Sequence, residues 1–148
     1  MSVKNFVKLE FSSLPENVAF ARASVGAFVT QLDCTLDDIE EIKLVISEAV
    51  SNSVIHGYNN DPHGQIVVIV YIFDNNGLEI IVEDYGKGIT DISKALKPTY
   101  STDPVRMGLG FTFMQSFMDE LEVHSEPNKG TSLKMLRSFA IINKEALA

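Results

Sequence analysis

Glu48 and Asn52 stand four residues apart in the run Glu48-Ala-Val-Ser-Asn52-Ser-Val-Ile-His56-Gly57-Tyr58. On a helix that spacing puts both side chains on one face. The Asn52 amide oxygen is a hard ligand of the kind Mg²⁺ accepts alongside water and phosphate oxygens. Glu48, one turn earlier, can take a proton from an attacking hydroxyl or water. The same pair also suits the polar flank of an amphipathic helix. Further on, Asp84-Tyr85-Gly86-Lys87-Gly88 places a carboxylate before two glycines. The carboxylate can accept from an exocyclic amine, and the glycines let backbone approach a flat ring. Asp-x-Gly is equally common in plain turns. Gly108-Leu109-Gly110 stands where a loop turns into a helix. Free N–H groups and the helix dipole make such a terminus a phosphate site. No Gly-Lys-Ser/Thr follows, so this is not a Walker A loop. Taken together the three motifs point to a site for Mg²⁺ and ATP that carries its own base.

The elements that must position these residues are readable from period and punctuation. Residues 3–12 alternate as a first strand, and residues 14–32 follow with helical spacing, Pro15 falling in the first turn. Thr35 is a good N-cap for a helix over residues 36–56, with Asp37 and Asp38 at its positive end and Gly57 as a stop. Residues 65–73 and 78–83 are β-branched strands around the hairpin turn Asp74-Asn75-Asn76-Gly77. Residues 85–107 read as a long functional loop with at most one helical turn near 92–96. A helix over 110–121, then strands over 122–125 and 131–138, close the chain. This order predicts one α+β domain over residues 1–148. It would be a two-layer α/β sandwich, a mixed, mainly antiparallel sheet with helices on one face.

Composition narrows the classes. A net charge of −8 argues against general nucleic-acid binding, which depends on basic contacts to phosphate. The single cysteine, Cys34, cannot form an internal disulfide and suits a reducing cytoplasm. No segment approaches the roughly 20 apolar residues of a membrane span, and the opening residues lack a signal-peptide run. The expectation is a cytoplasmic protein with no membrane contact. His56, His63 and His124 have no metal-ligand spacing, so no zinc site is expected.

In this order, the Glu-x-x-x-Asn, Asp-x-Gly-x-Gly and Gly-x-Gly boxes and the late Gly130-Thr131 pair resemble the GHKL ATPase superfamily, which includes the histidine kinases, gyrase B and MutL. The run Val45-Ile-Ser-Glu48-Ala-Val-Ser-Asn52 and the helix beginning Phe20-Ala21-Arg22 narrow the resemblance. It is to anti-sigma factors with serine-protein-kinase activity, particularly the anti-sigma F factors of endospore-forming bacteria, over residues 8–136. The resemblance implies a homodimer that holds a sporulation sigma factor inactive when ATP is bound. It also implies a protein serine/threonine kinase that phosphorylates a small anti-sigma-factor antagonist. Carried onto this chain, it makes Glu48 the general base and Asn52 the Mg²⁺ ligand. Asp84 would read the adenine amino group, helped by Thr131, with Gly86 and Gly88 lining the base pocket. Ser101, Thr102 and the segment Gly108, Leu109, Gly110 and Phe111 would form the lid and phosphate cradle. Arg22 would contact both protein partners. Two alternatives stay open: a general-stress anti-sigma kinase, which shares every box, and a nucleotide-gated sigma binder without kinase turnover. The chain departs from the family in a shorter lid, with Arg106-Met107-Gly108 where Arg-Ser-Gly is common.

Overall fold

The structure, a computed structural model, describes residues 2–89 and 109–141. Its elements in chain order are β1 (Val3–Ser12), α1 (Glu16–Phe28), α2 (Leu36–Asn52), β2 (Gln65–Phe73), β3 (Gly77–Asp84), α3 (Leu109–Phe117), β4 (Glu120–Glu126) and β5 (Gly130–Ser138). A 3-10 turn, Val29–Gln31, extends α1, and a π turn, Ser53–Gly57, extends α2. The five strands lie in the order β1-β2-β3-β5-β4, and each of the four ladders is antiparallel. β3 and β4 therefore run the same way with β5 between them, a split β-α-β arrangement closed through α3. The mixed character expected of the sheet survives in those directions, with no direct parallel pairing among the described residues.

Strand alternation assigns the faces. Val7, Leu9 and Phe11 lie opposite Val70, Val68 and Ile66, and Ile80 and Val82 lie opposite Met135 and Leu133. These side chains share one core with Ala21 and Val25 of α1, Ile42, Ile46 and Val50 of α2, and Met114 of α3. The helices thus cover one face of the sheet, as a two-layer sandwich requires. No helix among the described residues is long and apolar enough to cross a membrane.

Local chemistry explains most boundaries. Thr35 caps α2 as read: its hydroxyl accepts from Asp38 N–H at 3.1 Å, and Asp38 Oδ2 accepts from Thr35 N–H at 2.9 Å. The same Asp38 receives Arg137 from β5 at 2.7 Å, and Arg137 also reaches Glu41 at 3.0 Å. The Thr35 hydrogen bonds, with the Arg137 charge, hold the Asp38 carboxyl below its usual range. Since Arg137 is mostly buried, Arg137→Ala leaves two carboxylates facing each other without their cation. Urea unfolding should show a loss of about 2 kcal/mol. An unchanged midpoint would mean the pair is solvated and idle.

Two readings need amendment. The last helix stops at Phe117 instead of running to residue 121, and β4 starts at Glu120. Asp119 marks the switch: its N–H donates to Leu136 O at 2.8 Å, and its Oδ2 accepts from Ser138 N–H at 2.7 Å. The helical stripe ending at Met118 and the strand alternation from Leu121 overlap in sequence, so period alone misplaces the junction. Asn76, read as a turn residue, does sit at positive φ (65°) in the β2–β3 hairpin. Its side chain also clasps distant backbone, accepting from Asp33 N–H at 2.9 Å and donating to Asp33 O at 2.9 Å and Phe139 O at 3.2 Å. The helical turn expected near 92–96 lies outside the described residues.

Candidate nucleotide-binding site

Asp84 ends β3 and is the one buried charged residue among the described residues. Its Oδ2 accepts from the Ser53 hydroxyl at 2.9 Å and its Oδ1 from Gly86 N–H at 3.0 Å. Thr131, opposite it on β5, contributes a backbone N–H. Burial pushes the Asp84 carboxyl upward, and the Gly86, Ser53 and Thr131 hydrogen bonds oppose that shift. A carboxylate offers about four acceptor positions, so these three donors leave room for one more N–H. That is what a carboxylate reading an amino group needs.

The turn after Asp84 is pressed against two neighbours. A Cβ on Gly86 would lie 2.0 Å from Gly57 O. Gly88 has φ +75°, and a Cβ there would lie 2.1 Å from Glu126 O. Both glycines were expected to admit a flat ring; the space they leave is used first by the protein's own backbone. Lys87 N–H donates to Gly57 O at 2.8 Å, and Ile89 N–H donates to Ser125 Oγ at 2.7 Å. Ser125 in turn donates to Gly130 O at 3.0 Å and lies 2.8 Å from Thr131 Oγ1. The loop is therefore stitched to the end of α2 on one side and to the β4–β5 hairpin on the other.

On α2 itself, Glu48 and Asn52 are both half-buried, and Asn52 is the last α-helical residue. The helix does not end at Gly57 by ordinary fraying. It widens into the π turn, with Tyr58 N–H donating to Ser53 O at 2.9 Å. Such widened turns are common at functional sites. Glu48 Oε2 is buried with no hydrogen-bond partner among the described residues. Desolvation raises its carboxyl from 4.5 to about 7. A carboxyl with one unsatisfied oxygen and a pKa near neutrality is suited to exchange a proton with a group brought to it.

The structure brings Asp84, Gly86, Gly88 and Thr131 together and links them through Ser53 and Gly57 to the helix of Glu48 and Asn52. The Phe111 side chain belongs to the core, which leaves only its backbone to a phosphate cradle at the start of α3. Leu109 and Gly110 open α3. Ser101, Thr102 and Gly108 lie outside the described residues. Arg22 is exposed on α1, with Nη1 3.4 Å from Ser47 Oγ. Ser53, Ser125 and Tyr58 were not singled out from sequence. The only signal was that Ser53 and Tyr58 sit beside Asn52 and Gly57.

Residues 11–137 match the family model described as the histidine kinase-like ATPase domain. The chain is 47% identical over 140 residues to the anti-sigma F factor of Oceanobacillus iheyensis, covering 93% of this chain and 95% of that protein. With the anti-sigma F factor of Geobacillus kaustophilus it shares 49% identity over 140 residues, at the same 93% and 95% coverage. The RsbU and RsbW domains of a Mycobacterium tuberculosis protein superpose with a TM-score of 0.67 at 19% identity, over 91% of this chain and 32% of that one. The histidine kinase domain of an Erythrobacter litoralis blue-light activated kinase superposes at 0.54 and 17% identity, over 81% and 60% of the two chains. At those identities the structural likeness speaks to fold alone. The curated relatives, by contrast, match nearly end to end, and the chain belongs to the anti-sigma F factor family, built on the histidine kinase-like ATPase fold.

Proposed function

We propose that the protein is an ATP-controlled anti-sigma factor that also phosphorylates a serine of an antagonist protein. The observation that carries the enzymatic half is the Glu48 oxygen that has no hydrogen-bond partner among the described residues, with its carboxyl near pH 7, on the same helix face as Asn52. The residues fit the implied groups. Asp84 has acceptor capacity left for the adenine amine, and Asn52 supplies one hard oxygen for Mg²⁺, whose other ligands would come from phosphate and water. Bound Mg²⁺ contributes charge compensation on the phosphates. The chain's own part is to hold the base at Asp84 and to take a proton at Glu48. A serine hydroxyl forms a bond to the γ-phosphorus as the bond to the ADP oxygen breaks, and its proton passes to the Glu48 carboxylate.

The anti-sigma half rests on the names of the relatives: the bound state would present a surface including Arg22 to a sigma factor. The homodimer is part of the same reading, and the open face of the sheet offers a second copy an apolar surface. There Phe6 is 60% exposed, with Tyr71 at 6.1 Å and Phe73 stacked at 6.5 Å from Tyr71. A cytoplasmic location follows from the partners proposed.

The deciding experiment follows γ-labelled phosphate from Mg-ATP to candidate antagonists of the sporulation and general-stress kinds, with sigma-factor capture measured in parallel. Transfer to the sporulation-type antagonist supports the full reading, and transfer to the other selects the general-stress alternative. ATP-dependent sigma capture without transfer would leave a nucleotide-gated binder. Asn52→Ala should weaken Mg-ATP binding at least tenfold and weaken sigma capture with it. Capture that survives loss of Mg-ATP binding would break the proposed link between them.

A further inference from the structure

Tyr58 closes the π turn and sends its ring back across Gly64, where a Cβ would lie 2.5 Å from a ring carbon. The ring is thus seated on bare backbone, and its hydroxyl reaches the start of β2 and the residue that follows β3. It donates to Gln65 O, at the start of β2, and accepts from Tyr85 N–H at 2.7 Å. Tyr85 itself has a side chain 62% exposed, so the inward anchor of this residue is its N–H. That N–H belongs to the peptide leaving Asp84. Its orientation sets where the next N–H, that of Gly86, meets Asp84 Oδ1 at 3.0 Å. Ser53, four residues from Glu48's neighbour Ala49 on the same helical path, holds the other oxygen at 2.9 Å.

We infer that Tyr58 is a positioning residue for base recognition: its hydroxyl fixes the Asp84–Tyr85 peptide and so aims the Asp84 carboxylate at the amine of an adenine nucleotide. The inference rests on the proposed adenine role of Asp84 and goes beyond it by naming the group that selects for the amine. Burial raises the phenol further above its ordinary range, so it stays protonated and keeps its donor to Gln65 at neutral pH. A tyrosine acting only as a structural staple would weaken every nucleotide alike. A tyrosine that aims the carboxylate weakens those that carry the amine.

The test uses the full chain with Mg²⁺ and two ligands, ATP and purine riboside triphosphate, which lacks the 6-amine. Binding is measured by calorimetry for wild type, Tyr58→Phe and Asp84→Asn. Tyr58→Phe should weaken ATP roughly three- to tenfold, the worth of one neutral hydrogen bond, and leave the amine-free analogue within about twofold. Equal losses for both ligands, or an unchanged ATP affinity, would overturn the inference. If Asp84→Asn keeps wild-type discrimination, the adenine reading falls and this inference with it. If Asp84→Asn loses discrimination while Tyr58→Phe keeps it, only the role of Tyr58 falls. Should Tyr58→Phe fail to fold, Gly64→Ala displaces the ring without removing the hydroxyl. It should shrink the ATP preference in the same direction, and full preference in a folded Gly64→Ala protein would count against the inference.

Discussion

Glu48→Gln is expected to slow phosphate transfer by about 10²- to 10⁴-fold, the usual worth of a positioned general base, with ATP affinity little changed. Gln has the size of Glu and keeps an oxygen at the same place, so binding contacts persist and only proton acceptance is lost. The wild-type pH profile should carry the same signature. With the carboxyl at about 7, transfer rises tenfold per pH unit below that value and levels off above it. The stability consequence has the opposite sense. The folded pKa of about 7 exceeds the ordinary 4.5, so between those values the native state holds a proton the unfolded chain has released. Stability from this group is therefore full below pH 4.5 and declines as pH rises through 7. Glu48 is partly open to solvent, so the effect is discounted to about 1 kcal/mol. Urea melts should find Glu48→Gln more stable than wild type by that amount at pH 8, with no advantage below pH 4.5. A variant that is slower, yet no more stable at pH 8, would show that the carboxyl is not the desolvated group described. One that transfers at the wild-type rate would remove Glu48 from the chemistry altogether.

What could be read from sequence was what neighbours in sequence decide. Thr35 and Asp38 cap α2 within a single turn, and the β2 limits at Gln65 and Phe73 follow from a nearly wholly apolar, mostly β-branched run. The motifs of the candidate site could be located for the same reason: Glu48 and Asn52 share a helix, and Asp84 and Gly86 share a turn. The supporting contacts were not legible, because each joins residues far apart. Ser53 meets Asp84 across 31 positions and Tyr58 meets Tyr85 across 27, and both use residue types common anywhere. The antiparallel insertion of β5 between β3 and β4 is also a long-range choice, which alternation along single strands does not encode. Asn76 shows both sides. Its positive φ was evident from Asn-Gly, while its clasp on Asp33 and Phe139 depends on where two other segments end.

Gly86→Ala should severely damage this loop, as should Gly88→Ala, where a Cβ would meet Glu126 O at 2.1 Å with φ at +75°. The new Cβ in Gly86→Ala would stand 2.0 Å from Gly57 O and 2.4 Å from Gly57 C, both backbone atoms at the end of the π turn. No rotamer relieves such a clash, so the loop must move. Moving it pulls Lys87 N–H from Gly57 O (2.8 Å) and Gly86 N–H from Asp84 Oδ1 (3.0 Å). The carboxylate then loses the donor that orients it, and the link from the base pocket to the Glu48 helix opens. Overpacking of this kind costs about 1–3 kcal/mol, so ATP affinity should fall by up to roughly 100-fold, with a matching drop in urea midpoint. Gly77→Ala provides the contrast, since its Cβ would meet first the Asn75 side-chain oxygen at 2.9 Å, the end of a side chain and not a backbone atom. Calorimetry should find ATP binding near wild type in Gly77→Ala and severely weakened in Gly86→Ala. Equal binding by the two variants would mean that the loop after Asp84 has slack. In that case the contact with Gly57 would not be what ties nucleotide recognition to the helix of Glu48 and Asn52.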